Sequence, residues 1–302
     1  MRKISINLVA SAFLILTVCV VFASVASEIV GDWRRDANYS HGFLIPLVSA
    51  YSLWQKKSVL RNTRRSPSLW GLAGLIGALC LFVVGTAAAE VFTQRVSFLI
   101  LCGSLVCFLC GWRQLRLVVF PIVFLILAIP LPYVLYYGIT MPMQALAAKI
   151  AASGLMVIGI PAMVQGNMIH LAGGVSLEVA EACSGIRSLY AFLAVGALMA
   201  YSLRIAWWGR LVVFATAIPL TIAGNAFRVF GSGVGASLFG LETTRGAIHE
   251  TFGLVVFVVT LSLFYAVQKV AQSIWSHGTS QPSSSSASPA STPPNSGMAP
   301  RP

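Results

Sequence analysis

Runs of about 20 mostly apolar residues, each long enough to cross a bilayer, recur along this 302-residue chain. In hydrocarbon every backbone N–H and C=O has to be satisfied within the protein, so such runs have to be helices. Hydrophobic residues make up 57% of the chain and charged ones 9%, too few charges to surface a soluble domain of this length. The expected fold is an all-α polytopic membrane protein with about eight transmembrane helices.

The net charge of +12 could suggest nucleic acid, but the placement of Lys and Arg argues against it. They fall in short loops between apolar runs, the pattern that fixes orientation in a membrane. The loop 56–65, with Lys56, Lys57, Arg61, Arg64 and Arg65, is placed in the cytoplasm. From that assignment the other segments follow in order. A retained first helix covers 4–26, a polar outer loop 28–40, and a second span 41–54. A Gly-rich span, 69–89, carries Gly71, Gly74, Gly77 and Ala78 for close helix packing. Outer loop 90–95, span 96–110, inner loop 112–116 and span 117–131 come next. The segment 133–160 is interrupted by Gly138, Pro142, Gln144 and Lys149, and reads as an interfacial or re-entrant helix on the outer face. Spans 186–203, 211–227 and 250–267 complete the set, with a Gly-containing outer loop at 231–248. The polytopic domain is bounded at 1–270. The Ser/Pro-rich remainder, 271–302, lacks the apolar residues to fold and reads as a disordered cytoplasmic tail.

Between these spans, Met168-Ile-His-Leu171, Ala-Gly-Gly174 and Val175-Ser-Leu-Glu-Val179 read as a small outer-face β-hairpin around a glycine turn. It leads into Glu178-Val-Ala-Glu-Ala-Cys-Ser-Gly-Ile-Arg187, a dense polar run at the mouth of a span. Polar groups there are costly and mark function. Cys19, Cys80, Cys102, Cys107 and Cys110 lie in apolar runs and read as small buried hydrophobes. Cys183 alone is in a polar setting. The topology brings it to the same face as Arg228 and His249. A helix start and nearby cations, Arg187 first, favour its thiolate. Arg228 can stabilise an oxyanion, and His249 can move a proton. His170 competes as a base and ranks below His249. Ser184 competes as a nucleophile and ranks below the thiol. Glu178 and Glu181 can solvate the hairpin or pair with Arg187 and Arg245. Asn225 can bond backbone between helices, and His41 caps or packs. No His/Cys/Asp cluster has metal-ligand spacing, so neither metal nor cofactor is expected.

The ordered motifs Val179-Ala-Glu-Ala-Cys-Ser-Gly-Ile-Arg187, Asn225-Ala-Phe-Arg228 and His249 followed by Gly253 resemble those of the exosortase/archaeosortase family. Ser40-His-Gly-Phe-Leu-Ile-Pro46 and Gly159-Ile-Pro161 extend the resemblance, which covers 40–267 and leaves out the tail. It implies a membrane cysteine protease/transpeptidase, sortase-like in chemistry but not in fold. It would cleave C-terminal sorting signals of exported proteins: a short motif such as Pro-Glu-Pro, one transmembrane helix, then a basic cluster. It further implies that Cys183 forms an acyl-thioester, Arg228 donates a proton and His249 assists the transition state. Glu181, Ser184, Gly185, Arg187 and Asn225 take supporting places around them.

The site is therefore expected on the outer, periplasmic face of the inner (plasma) membrane, meeting tailed exported proteins within the lipid. Water, an amine-bearing lipid and a glycan stay open as acceptors. Two other readings compete. One is a non-enzymatic transporter or assembly component for exopolysaccharide export, motivated by the many spans and the outer arginines. The other is a membrane acyltransferase using the same thiol on a lipid.

Overall fold

A computed structural model describes residues 8–179, 185–203, 205–244 and 246–278. Among them are helices α1 (Leu8–Val21), α2 (Ala23–Arg35), α3 (Leu44–Gln55), α4 (Lys57–Asn62), α5 (Leu69–Ala87) and α6 (Val91–Cys110). Next come α7 (Trp112–Phe124), α8 (Tyr133–Val157), α9 (Ile186–Ser202), α10 (Trp207–Ala215), α11 (Ala217–Phe239) and α12 (Gly246–Gly278). Three short strands, β1 (Ala162–Gln165), β2 (Met168–Leu171) and β3 (Ser176–Glu178), lie between α8 and α9.

Four helical stretches are long and apolar enough to cross a membrane: α5, α6, α10 with α11 (Trp207–Phe239), and α12 as far as Ser273. The number reaches six if two bent pairs, α1–α2 at 48° and α7–α8 at 75°, each make one span. The chain is thus a multi-pass helical membrane protein with four to six candidate spans, where the sequence suggested about eight. The difference comes from the short apolar helices. α3 has 12 residues and α9 has 17, and a length of 17 is only the lower limit for a crossing. Side chains such as Trp70, Ile76, Val83 and Leu254, Val258, Leu263 point outward from α5 and α12, apolar surface that suits lipid.

Three expected loops are helical instead. Segment 28–40 continues α2 to Arg35, because Asp32 bonds both Arg35 (2.9 Å) and the buried Arg95 of α6 (2.6 Å). Arg95 is buried and Asp32 partly so, and removing Asp32 would leave a buried cation without its partner. Segment 90–95 opens α6, with Glu90 as its N-cap, accepting from the Phe92 and Thr93 amides. The Thr93 hydroxyl and these amides hold the Glu90 carboxyl below its usual range. Segment 231–248 continues α11 to Phe239 before a short 3₁₀ turn, Leu241–Thr244. Two of its glycines are packing positions: a Cβ at Gly231 would meet Phe252 at 2.4 Å, and one at Gly233 would meet Leu155 at 2.7 Å; Gly240, at φ +86°, ends α11. On α5, Gly71 and Gly74 do admit α6, facing Phe108 and Ser104, whereas Gly77 has nothing near it.

The 133–160 segment forms α8, turned 75° from α7 at the Pro130–Pro132 break. Its buried stripe (Tyr136, Thr140, Gln144, Ala147, Ala148, Ala151, Ala152, Leu155) follows helical periodicity. The expected two-stranded hairpin gains a third strand, giving an antiparallel sheet of order β1-β2-β3. Gly166, at φ +62°, sits in the first turn, and Gly173 and Gly174 in the second. Ile169, Leu171, Leu177 and Val179 pack on Ala148, Ala151 and Leu155 of α8 and Val229 and Ala236 of α11. This core fixes the sheet over α11.

The bundle has two distinguishable ends. At one, Lys56 bonds the Leu117 carbonyl (3.0 Å) and the Tyr201 hydroxyl near the end of α9. At the other, Trp33 donates to the Ala128 carbonyl (2.7 Å), and His41 bonds the Leu127 carbonyl (3.0 Å) and stacks on Tyr190. Burial pushes the His41 pKa down, which suits the packing role expected for it. α12 continues to Gly278, past the boundary expected at residue 270, and residues 279–302 of the expected tail lie outside the described residues.

Candidate active site

Two helices carry the polar groups of the site. On α11, Thr221, Asn225, Arg228 and Ser232 recur at intervals of four, three and four, one face of an α-helix. On α12, His249, Gly253, Val256 and Thr260 repeat the same intervals and face them. Close approach is built in: a Cβ on Gly224 would lie 2.6 Å from the Thr260 hydroxyl.

At the upper end of this contact, Arg228 Nη2 lies 3.1 Å from His249 Nε2, and Ser232 Oγ lies 3.4 Å from His249 Nδ1. An Arg can only donate, so His249 Nε2 is the acceptor and the imidazole in this contact is neutral. Its ring proton is then on Nδ1, directed to Ser232, a longer and weaker contact. His249 in this arrangement spends its Nε2 lone pair on aiming the guanidinium. A cavity of about 350 Å³ opens over the pair, walled by Ser176 to Val179, by Arg228, Val229 and Ser232, and by Leu241, Thr244 and His249.

Gly253 explains how Arg228 keeps its place. A Cβ there would stand 2.7 Å from Arg228 Cζ and Nε and 2.8 Å from Nη2. The guanidinium therefore lies flat on α12, one turn below His249. Gly253→Ala should move this flexible tip rather than the helices. If the chain cleaves tailed proteins as the resemblance implies, the expected result is a loss of about 10- to 100-fold in cleavage rate with an unchanged melting temperature, measured side by side on purified protein.

Residues 33–266, well over half of the chain, match the transmembrane exosortase family (Exosortase_EpsH). The chain belongs to this family. No curated protein and no solved structure matched it. The exosortase match ends before the Ser/Pro-rich tail.

In this exosortase, Cys183, Glu181 and Ser184 lie outside the described residues, as does Arg245. The residues on either side of that segment are described, and both reach the site. Val179 lines the cavity. Gly185, buried and at φ +79°, starts α9, and a Cβ on it would stand 2.9 Å from Asn225 Cγ. Asn225 is 7% exposed, and neither its Nδ2 nor Arg228 Nε has a hydrogen-bond partner among the described residues. Arg187 is exposed in the first turn of α9. Glu178 is exposed at the cavity rim. His170 bonds Ser176 Oγ (2.8 Å) and is not among the residues lining the cavity.

Ser232 was not legible as a site residue, because 231–248 read as a loop. Its signal was present in the spacing: Asn225, Arg228 and Ser232 continue one helical face.

Proposed function

We propose that this exosortase is a membrane-embedded cysteine protease/transpeptidase that cleaves C-terminal sorting signals of exported proteins through an acyl-thioester on Cys183. The observation that carries this reading is the Arg228–His249–Ser232 chain at a cavity lined by Val179, on one side of the Cys183 segment, while Gly185, on its other side, packs on Asn225, one turn from Arg228 on α11. Two peptide links separate Cys183 from Gly185.

The chemistry follows from residue types. The Cys183 thiolate attacks a peptide carbonyl, and the π-electrons move to oxygen as an oxyanion. Arg228, charged at physiological pH and held by His249, stabilises that oxyanion from a low-dielectric wall. Collapse expels the amine of the C-terminal fragment, which takes the proton lost by the thiol. The family resemblance gives Arg228 that donor role. The pairing with His249 favours its fixed charge as the larger contribution. An acceptor (water, an amine-bearing lipid or a glycan) then attacks the thioester and restores the thiol. Asn225, Gly185, Glu181, Ser184 and Arg187 support the nucleophile segment.

The two ends of the bundle support an outer-face site at the inner membrane. Gly185 begins α9 and Tyr201, which meets Lys56 of the basic loop, is near its end. At 1.5 Å per residue the site and the basic end are about 25 Å apart along α9, most of a hydrocarbon core. A substrate held by its own transmembrane helix would present its cleavage motif at that depth.

The test is chemical trapping. A reporter ending in Pro-Glu-Pro, a transmembrane helix and a basic cluster is mixed with the purified protein and quenched in acid. Expected is a hydroxylamine-labile adduct whose mass maps to the Cys183 peptide. Processing with no adduct on Cys183, or an adduct on another residue, would overturn the assignment.

A further inference from the structure

The sheet beside the site has one edge open to the cavity, and its register tells which groups it offers. Val179 N donates to Asn167 O (2.9 Å) and Leu171 N to Val175 O (2.8 Å). Pairs 167/179 and 171/175 are therefore hydrogen-bonded pairs, and so, by the alternation of an antiparallel ladder, is Ile169↔Leu177. The intervening pairs, Met168↔Glu178 and His170↔Ser176, are not. The N–H and C=O groups of Ser176 and Glu178 thus point away from β2, toward the free edge. No backbone partner for them occurs among the described residues. Both residues line the cavity with Arg228 and His249.

A row of unpaired donors and acceptors at strand spacing is a template for another extended chain. Leu177 and Val179 anchor β3 in the core, so the edge is rigid. β3 ends five positions before Cys183 and shares the cavity with Arg228.

We propose that β3 binds the substrate as an added strand: an extended peptide segment of the exported protein pairs its backbone with Ser176 and Glu178 and so lays its scissile carbonyl beside Arg228. This rests on the protease/transpeptidase reading for the identity of the peptide. An added strand takes its affinity from main-chain hydrogen bonds and reads alternate side chains in pockets. Only every second residue of the peptide would turn its N–H and C=O to β3. The recognition would thus tolerate residues lacking an N–H at the intervening positions.

Proline substitution tests the edge. Ser176→Pro and Glu178→Pro each delete an outward N–H that the sheet itself does not use, a place where an edge strand accepts Pro. The full chain carrying Cys183→Ala, in nanodiscs, is titrated with a fluorescein-labelled peptide spanning the reporter's cleavage motif. Expected is at least a tenfold weaker Kd for each proline variant than for alanine at the same position. Ala162→Pro, on the opposite edge, should bind as the parent does. A single N-methyl group walked along the peptide should weaken binding at every second residue only. Equal losses for proline and alanine, N-methyl effects without alternation, or no peptide binding at all would overturn the proposal. If the active-site-intact protein leaves the reporter uncleaved while the alternation persists, the protease reading fails and the strand-addition site stands.

Discussion

Cys183→Ala is expected to leave no detectable processing of a tailed reporter while the protein still accumulates in the membrane fraction. In the proposed mechanism the Cys183 thiolate forms the covalent bond, and no described thiol is placed to replace it. The described cysteines lie on α1, α5 and α6, and none lines the cavity. Cys183→Ser should recover at most a trace, since a hydroxyl needs a general base to attack and His249 Nε2 is committed to Arg228. The measurement is an immunoblot of a reporter co-expressed with each variant, with membrane-fraction yield and melting temperature alongside. The melting temperature separates a lost reaction from a lost fold: with the nucleophile reading, activity disappears while the melting temperature is kept. The transporter reading predicts the reverse: Cys183 is replaceable and the outer arginines are not. Full processing by Cys183→Ala would remove the nucleophile assignment.

Much of the architecture was legible because hydrocarbon imposes one rule on every segment. The Gly-rich α5, its partner α6 and the last helix α12 stand where the apolar runs put them. The errors share a cause. In sequence the Gly-containing stretch 231–248 reads as a loop throughout, and the charged stretches 28–40 and 90–95 read as loops too. In the fold, Gly231 and Gly233 make room for Phe252 and Leu155, and Asp32 pairs with Arg95. Both are tertiary facts with no local signature. The third strand was missed because Ala162–Gln165 is four residues long and follows an apolar helix directly.

The sequence singles out Arg228 and His249 as residues but not the contact between them. Arg228 and His249 were expected at one depth, and the helices bring them to 3.1 Å. That contact changes the chemistry assigned to the imidazole. A histidine near a cysteine reads as its base. A histidine accepting from an arginine is a positioning residue for a cation. Gly253 shows the same gap between residue and contact, since its motif position follows from the guanidinium lying across it.

Arg228→Ala is expected to lower the processing rate by about 10²–10³, or about 2.7–4 kcal/mol, the range seen when one oxyanion donor is lost. Arg228→Lys should recover little of it, since a compact ammonium cannot both reach His249 and present a planar fork to the oxyanion. His249→Ala should cost less than Arg228→Ala, and His249→Gln less again, because a carboxamide oxygen can accept from the guanidinium. The decisive measurement is the double-mutant cycle on single-turnover rates. If His249 acts by holding Arg228, adding His249→Ala to Arg228→Ala costs little more than Arg228→Ala alone. Losses that simply add would give His249 an independent part in proton transfer and undo the positioning role. The Nε2 contact also requires a neutral imidazole, so protonating His249 in the intact protein should mimic its deletion. In the Arg228→Ala background that contact is already gone, and the same change in pH should have little left to remove.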